Sequence, residues 1–156
     1  MRVEIRAVGR LRKGAEQSLC ADYLERFART GRGLGLGEAQ LREVEDRKAG
    51  GPAGEGALLL RGLAPDARLC VLDERGATMT SPDFAATLAA WRDDGVGTAA
   101  FVIGGADGVS ESVTRRADLR LSFGPMVWPH MLARVMLSEQ LYRAAAILAG
   151  TPYHRL

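Results

Sequence analysis

Residues 97–108 read GTAAFVIGGADG. From Ala99 to Ile103 every side chain is apolar, so the strand this run predicts is covered on both faces. It stops at a glycine pair, Gly104 and Gly105. Two further stretches behave alike: RLCVLDERG, residues 68–76, is a mostly apolar strand ending in an acidic turn, and LRLSF, residues 119–123, is a shorter one. Strands buried on both sides call for a parallel sheet with helices on each face.

Working outward, the remaining chain supplies those helices and the other strands. RVEIRAVG (2–9) alternates with period two and stops at Gly9, which predicts a strand. Leu19, Tyr23, Leu24 and Phe27 recur at helical spacing across 14–29, and GRGLGLG (31–37) ends that helix. AQLREVE (39–45) alternates again. DRKAGGPAGEG (46–56) reads as a flexible polar loop, followed by a short helix over 57–63. Ser81 caps a helix over 82–94 with Pro82 at its first position. SESVTRRA (110–117) is a short helix, GPMVWP (124–129) a stiff loop, and 130–149 the last helix. Strand and helix alternate without a repeat or a boundary. The expected fold is therefore α/β, a mostly parallel sheet flanked by helices in one domain over 1–156.

Composition narrows the chemistry. Only two histidines, His130 and His154, are present, too few for a multi-histidine metal centre, and no metal is expected. Cys20 and Cys70 have neither zinc-site nor redox-pair spacing and read as reduced, buried thiols. The opening MRVEIRAVGR lacks the apolar core of a signal peptide, and no run approaches a membrane span, so a soluble cytoplasmic protein with no membrane partner is expected. The net charge of +2 conceals a pattern: residues 51–114 carry four basic against nine acidic side chains, while both flanking segments are net basic. Basic ends suit a polyanion such as RNA.

In such folds ligands bind beyond the carboxyl ends of the strands, where the loops after Leu72, Ile103 and Phe123 should meet. Gly104 and Gly105 let a flat ligand approach the main chain, while Asp107 disfavours a phosphate. Pro125 and Pro129 stiffen the next loop, whose Phe123, Met126, Val127 and Trp128 provide the apolar rim an adenine needs. On the last helix His130, Arg134 and Ser138 share one side, Glu139 and Arg143 lie roughly opposite, and two apolar stripes run between them. Two apolar faces imply a helix between two bodies, most simply two copies of the chain. Gly150 and Pro152 end the helix and aim a tail carrying Tyr153, His154 and Arg155: a stacking ring, a proton carrier and a phosphate or carbonyl binder.

VEIRAVG, VLDERG, FVIGGADG, LSFGPMVWPH, RVMLSEQLYRA and PYHR occur together in this order. The set closely resembles the RlmH-type SPOUT methyltransferases, which methylate N3 of a pseudouridine in bacterial large-subunit ribosomal RNA. That resemblance implies a C-terminal trefoil knot, a homodimer, and S-adenosyl-L-methionine as cofactor. Carried over, the cofactor positions are Leu72, Gly104, Gly105, Phe123, Gly124, Pro125, Met126, Val127 and Trp128. It implies a composite active site in which Tyr153, His154 and Arg155 of one subunit face the other's cofactor, with Glu139 and Arg143 beside them. Tyr153 would position the base, His154 would accept the N3 proton or only orient the base, and the two arginines would stabilise charge on its carbonyl oxygens. The 46–56 segment is shorter and poorer in lysine than the family's, which leaves more of the ribosome contact to the arginines at 10, 12, 115, 116 and 120. Two other functions stay open: a dimeric ribosome- or RNA-binding module without catalysis, and a SPOUT methyltransferase acting on another RNA such as tRNA.

Overall fold

The computed structural model describes residues 1–45 and 50–155. Five strands, β1 (Arg2–Val8), β2 (Ala39–Val44), β3 (Arg68–Thr78), β4 (Thr98–Ile103) and β5 (Leu119–Ser122), form one sheet in the order β2-β1-β4-β3-β5. Every neighbouring pair is parallel. Helices α1 (Ala15–Gly31), α3 (Ser81–Asp93) and α5 (His130–Leu148) cover one face, and α2 (Gly51–Leu60) and α4 (Glu111–Arg116) the other. Side chains alternate across the sheet as the pleat demands. Val3, Ile5, Phe101 and Ile103 enter the larger core beneath α1, α3 and α5, while Leu69, Val71, Ala100 and Val102 enter the smaller one.

Helix α2 begins at Gly51, inside the stretch expected to be a loop, and residues 46–49 lie outside the described residues. Its glycines mimic a loop signal, but Gly56 serves packing: a Cβ there would sit 2.1 Å from Ser110 Oγ, so glycine at this position lets α2 approach α4. Its carboxyl end is held from the sheet. Arg6, 3% exposed, donates from Nη1 to the Leu59 and Arg61 carbonyls at 2.7 and 2.9 Å. Arg6 also pairs with buried Glu4, which Arg42 reaches from β2 at 3.1 Å. The last carbonyls of a helix need donors, and this guanidinium supplies them. Thr80, one residue before the expected cap, begins α3: its hydroxyl accepts from the Asp83 amide, and Asp83 accepts in return from the Thr80 amide.

β3 is interrupted. Leu121 of β5 lies opposite both Leu72 and Ala77, so residues 73–76 leave the sheet as a bulge. Asp73 accepts from the Arg75 amide at 2.9 Å and from Arg120 Nε at 3.0 Å. Gly76 then passes so close to β5 that a Cβ would lie 2.6 Å from the Arg120 carbonyl.

The two apolar stripes of α5 are covered in part within the chain: α5 packs against α1, α3 and β4, which buries Leu137, Ala144 and Ala146, while Met131, Val135 and Met136 stay half-buried. Arg134 and Ser138, expected on a polar side, are buried with it at 0% and 1% exposure.

Gly76→Ala should lower stability by about 1–3 kcal/mol, read as a lower urea midpoint at unchanged slope. Asp118 gives a pH test. Its carboxylate accepts from the Leu69 amide at 2.8 Å and from Arg68 and Arg116. Burial alone would raise its pKa, but those donors together hold it below the ordinary carboxylate value. A lowered folded pKa adds stability above the unfolded value that is lost as pH falls through the folded one. Wild type should therefore exceed Asp118→Asn in melting temperature at neutral pH, with the gap closing in acid.

Candidate active site

The parallel register brings the carboxyl ends of β4, β3 and β5 side by side. The loops after Ile103, Leu72 and Ser122 therefore share one edge, as the sequence pattern anticipated. A cleft of about 560 Å³ opens on the α1/α3/α5 face beside β5 and residues 78–81, and its lining takes nothing from the loop after Ile103. Its apolar walls include Phe84, Leu121, Phe123, Val135 and Met136, and its polar ones Ser122, Gly124, Glu139 and Gln140.

Of the expected cofactor positions only Phe123 and Gly124 line this cleft. Gly124 has φ +112 and open space where a side chain would be, and its amide donates to Ser122 Oγ at 3.1 Å. Pro125, Met126, Val127 and Trp128 continue the loop outward; Met126 and Val127 are 68% and 79% exposed and Trp128 41%. Leu72 packs into the larger core. The glycine pair has a local reason to be glycine: a Cβ on Gly104 would strike the Gly108 carbonyl at 2.4 Å, and one on Gly105 would lie 3.1 Å from the Glu55 carboxylate. The loop thus folds onto itself through a Gly105–Gly108 bridge. Glu55 fell in the supposed loop and was missed for that reason.

From the cleft, a polar chain runs along α5 to the tail. Ser81 Oγ donates to Gln140 Oε1 at 2.7 Å, and Gln140 Nε2 donates to Glu139 Oε2 at 2.7 Å. Glu139 Oε1 accepts from Arg143 Nε and from the Tyr153 hydroxyl, both at 2.9 Å. Arg143 Nη1 lies 3.3 Å from His154 Nδ1, and its guanidinium sits 4.8 Å from the Tyr153 ring centroid. Tyr153 also stacks at 4.5 Å on Tyr142. The turn that allows this is local: Gly150 at φ +65 stops the helix, and the Thr151 amide bonds back to the Ala146 carbonyl at 3.0 Å. Four of the five expected catalytic residues, Glu139, Arg143, Tyr153 and His154, are thus joined within one chain, while Arg155 is exposed.

Electrostatics follow from the contacts. Burial first and the Glu139 carboxylate second disfavour the phenolate of Tyr153 and raise its pKa. Hydrogen bonding to Glu139 raises that of Arg143, so the pair stays ionic. A guanidinium only donates; His154 Nδ1 is therefore the acceptor, and the proton of the neutral ring belongs on Nε2. That Nε2 is buried with no hydrogen-bond partner among the described residues. At the other end of α5, burial and then Arg134 lower the pKa of His130.

A parallel three-layer α/β domain with a half-apolar cleft at its strand ends has the design of a small-cofactor enzyme. Residues 1–154 match the model of the family described as predicted SPOUT methyltransferase, and the chain belongs to that family. It is 64% identical to the ribosomal RNA large subunit methyltransferase H of Dinoroseobacter shibae and 62% identical to that of Ruegeria pomeroyi, over the full length of every chain. Among solved structures it resembles a probable methylase family protein from Haemophilus influenzae Rd KW20, with a TM-score of 0.50 and 13% identity over 99% of this chain and 70% of the other. That likeness concerns the fold. No helix among the described residues is long and apolar enough to cross a membrane.

Tyrosinate absorbance should reveal the Glu139 contact. Titrated to high pH, wild type should show one phenol ionising later than an ordinary tyrosine, and Tyr153→Phe should lack that late step. An unchanged titration curve would remove the bond from the solution structure.

Proposed function

We propose that this chain transfers a methyl group from S-adenosyl-L-methionine to N3 of a pseudouridine in large-subunit ribosomal RNA, acting in the cytoplasm as a homodimer. The observation that carries the reading is the polar chain Ser81–Gln140–Glu139–Arg143–His154, which links the cleft to the tail. Family membership supports methyl transfer, and the relatives' names support the ribosomal substrate. The knot belongs to the same proposal and suits a chain whose last helix returns from edge strand β5 to pack on α1.

The cleft fits such a cofactor. Phe123 and Met136 offer apolar walls, Gly124 leaves room beside the main chain, and Glu139 places a carboxylate on the wall. The cofactor supplies a methyl group on a positively charged sulfur. In that cleft Phe123 and Gly124 would hold and orient it; Leu72, Gly104, Gly105 and Pro125 to Trp128 lie outside the cleft lining, and their share in the proposal rests on family membership. Tyr153 stacks the base. His154, its Nδ1 held by Arg143, offers the Nε2 proton to a carbonyl oxygen of the base and so orients it and stabilises the charge that grows there. Arg155 approaches the second carbonyl or a phosphate. When bound, the cofactor would supply its methyl group to N3, whose proton would leave to solvent. The contact of Nδ1 with Arg143 supports the orienting role for His154 in this reading. Alignment of N3 on the methyl carbon supplies much of the acceleration.

The dimer draws support from exposed apolar side chains: Leu19 on the cleft lining, Met126, Val127 and Trp128 on the loop before α5, and Leu132 in its first turn. One tail then closes its partner's cleft. A second arrangement, with the tail completing its own cleft, is favoured by the contact of Tyr153 with Glu139, since Glu139 lines the cleft of the same chain.

Methyl transfer to ribosomes distinguishes them. His154→Gln should retain far more turnover than His154→Ala, because the amide donates where Nε2 did, and both should bind S-adenosyl-L-methionine with wild-type heat in calorimetry. Removing residues 151–156 should abolish transfer. Mixing tail-less subunits with subunits blocked in the cleft by Gly124→Trp should restore activity if tails cross between subunits; two dead partners should stay dead if they do not. No calorimetric heat with wild type would leave only an RNA-binding module, and unmodified large-subunit RNA would point to another substrate such as tRNA.

A further inference from the structure

The turn between β1 and α1 is exposed, basic and held with unusual thoroughness. Gly9, at φ +80, donates its amide to the Val44 carbonyl at 2.8 Å. Leu11 is buried between two exposed arginines, and its amide donates to Glu43 Oε1 at 2.7 Å. The same carboxylate accepts from Arg134 Nη1 at 3.0 Å, while Arg134 Nη2 donates to the Val8 carbonyl. A fully buried guanidinium from α5 thus fastens the root of the turn. Arg10, Arg12 and Lys13 stand out from it into solvent.

Its place matters. Ala7 pairs with Ile103, and Val8 lies 3.3 Å from where a Gly105 Cβ would be, so the turn borders the glycine loop at the site edge of the sheet. Pro129, which ends the proline-stiffened loop, is the N-cap of α5, five residues before Arg134. The turn and the cofactor loop are therefore tied to the same rigid helix.

Other arginines that the sequence pattern had offered to the ribosome are committed elsewhere. Arg116 donates to the Pro65 and Ala67 carbonyls, and Arg120 pairs with Asp73. Arg115 lies on α4, on the far face, beside Glu111. By contrast, Arg12 and Lys13 have no ion-pair partner among the described residues, and Arg10 only meets exposed Glu45 at 3.6 Å. An exposed pair of that length contributes little and exchanges readily.

We infer that the 10–13 turn is the phosphate-gripping rim of the substrate site: Arg10, Arg12 and Lys13 bind the sugar-phosphate backbone of ribosomal RNA beside the target nucleotide. The inference rests on the function proposed above. Fixed cations on a rigid turn set the register of the RNA over the cleft without reading its sequence. Neutralising phosphates releases counterions, so affinity falls with salt in proportion to the contacts made, by about 0.7 log units per log unit of salt for each single-strand phosphate.

The test is binding of the full-length protein to large ribosomal subunits across about 50–200 mM salt. The variants are Arg12→Ala, the triple Arg10→Ala/Arg12→Ala/Lys13→Ala, and a charge control, Arg29→Ala/Arg115→Ala. The triple variant should bind at least about 10-fold more weakly at low salt, with a salt slope shallower by about 2, and Arg12→Ala by about 0.7. S-adenosyl-L-methionine heat should not change, which also reports the fold. Binding within twofold of wild type, or a loss matched by the control pair, overturns the inference. So does weaker binding at an unchanged salt slope, which marks a protein contact. Methylation of the subunits by wild type is scored separately: subunits bound but never methylated would sink the catalytic reading and leave the salt slopes to judge the rim.

Discussion

The hydrogen bonds from Arg134 to the Val8 carbonyl and the Glu43 carboxylate span 126 and 91 residues. They tie the last helix to the first two strands. Burying a guanidinium costs several kcal/mol unless its donors are matched; Nη1 and Nη2 are matched while Nε has no partner among the described residues, so few positions of α5 are compatible with it. With the helix set in this register, Leu137, Leu141 and Ala144 fill the core and Glu139 with Gln140 falls on the cleft wall. Ser138 completes the local arrangement by donating to the Arg134 carbonyl at 2.7 Å. The cleft, the tail and the basic turn all take their positions from that register.

β1 carries a second ionic clamp on its opposite side. Glu4 and Arg6, each 3% exposed, satisfy one another and hold the end of α2. Removing one partner from such a set strands a buried charge, whereas the intact set contributes little net stability. Its effect is geometric. β1 anchors α5 on one face and α2 on the other, and α2 brings Glu55 against Gly105. The strand that looks least specialised in the sequence is the point from which both layers are placed.

Much of the architecture could be read from residues alone, because burial on both faces leaves an unbroken apolar run and a half-exposed strand leaves an alternation. β4 and β1 follow those rules plainly. α2 is not legible in the sequence because its glycines are what a loop uses, while one of them, Gly56, is needed for contact with Ser110 and Val113. The bulge at 73–76 escaped because only the nearness of β5 makes Gly76 necessary. On α5 the spacing correctly grouped Arg134 with Ser138, and the fold buries both. Spacing cannot tell a polar residue facing water from one matched by a distant carbonyl.

For the site, the sequence by itself determined the strand-end loops, the proline-stiffened rim, the break at Gly150 and the chemical character of Tyr153, His154 and Arg155. These depend on local sterics and on side-chain chemistry, which travel with the residue. Only the tertiary structure decided which partners those groups meet: that Tyr153 bonds Glu139, that Arg143 occupies His154 Nδ1, and that Arg116 and Arg120 are spent on internal carbonyls and a carboxylate while the 10–13 turn remains outward. Hydrogen bonds and charge pairs between distant segments arise from closure of the chain in space, and no local pattern encodes which donor will reach which acceptor.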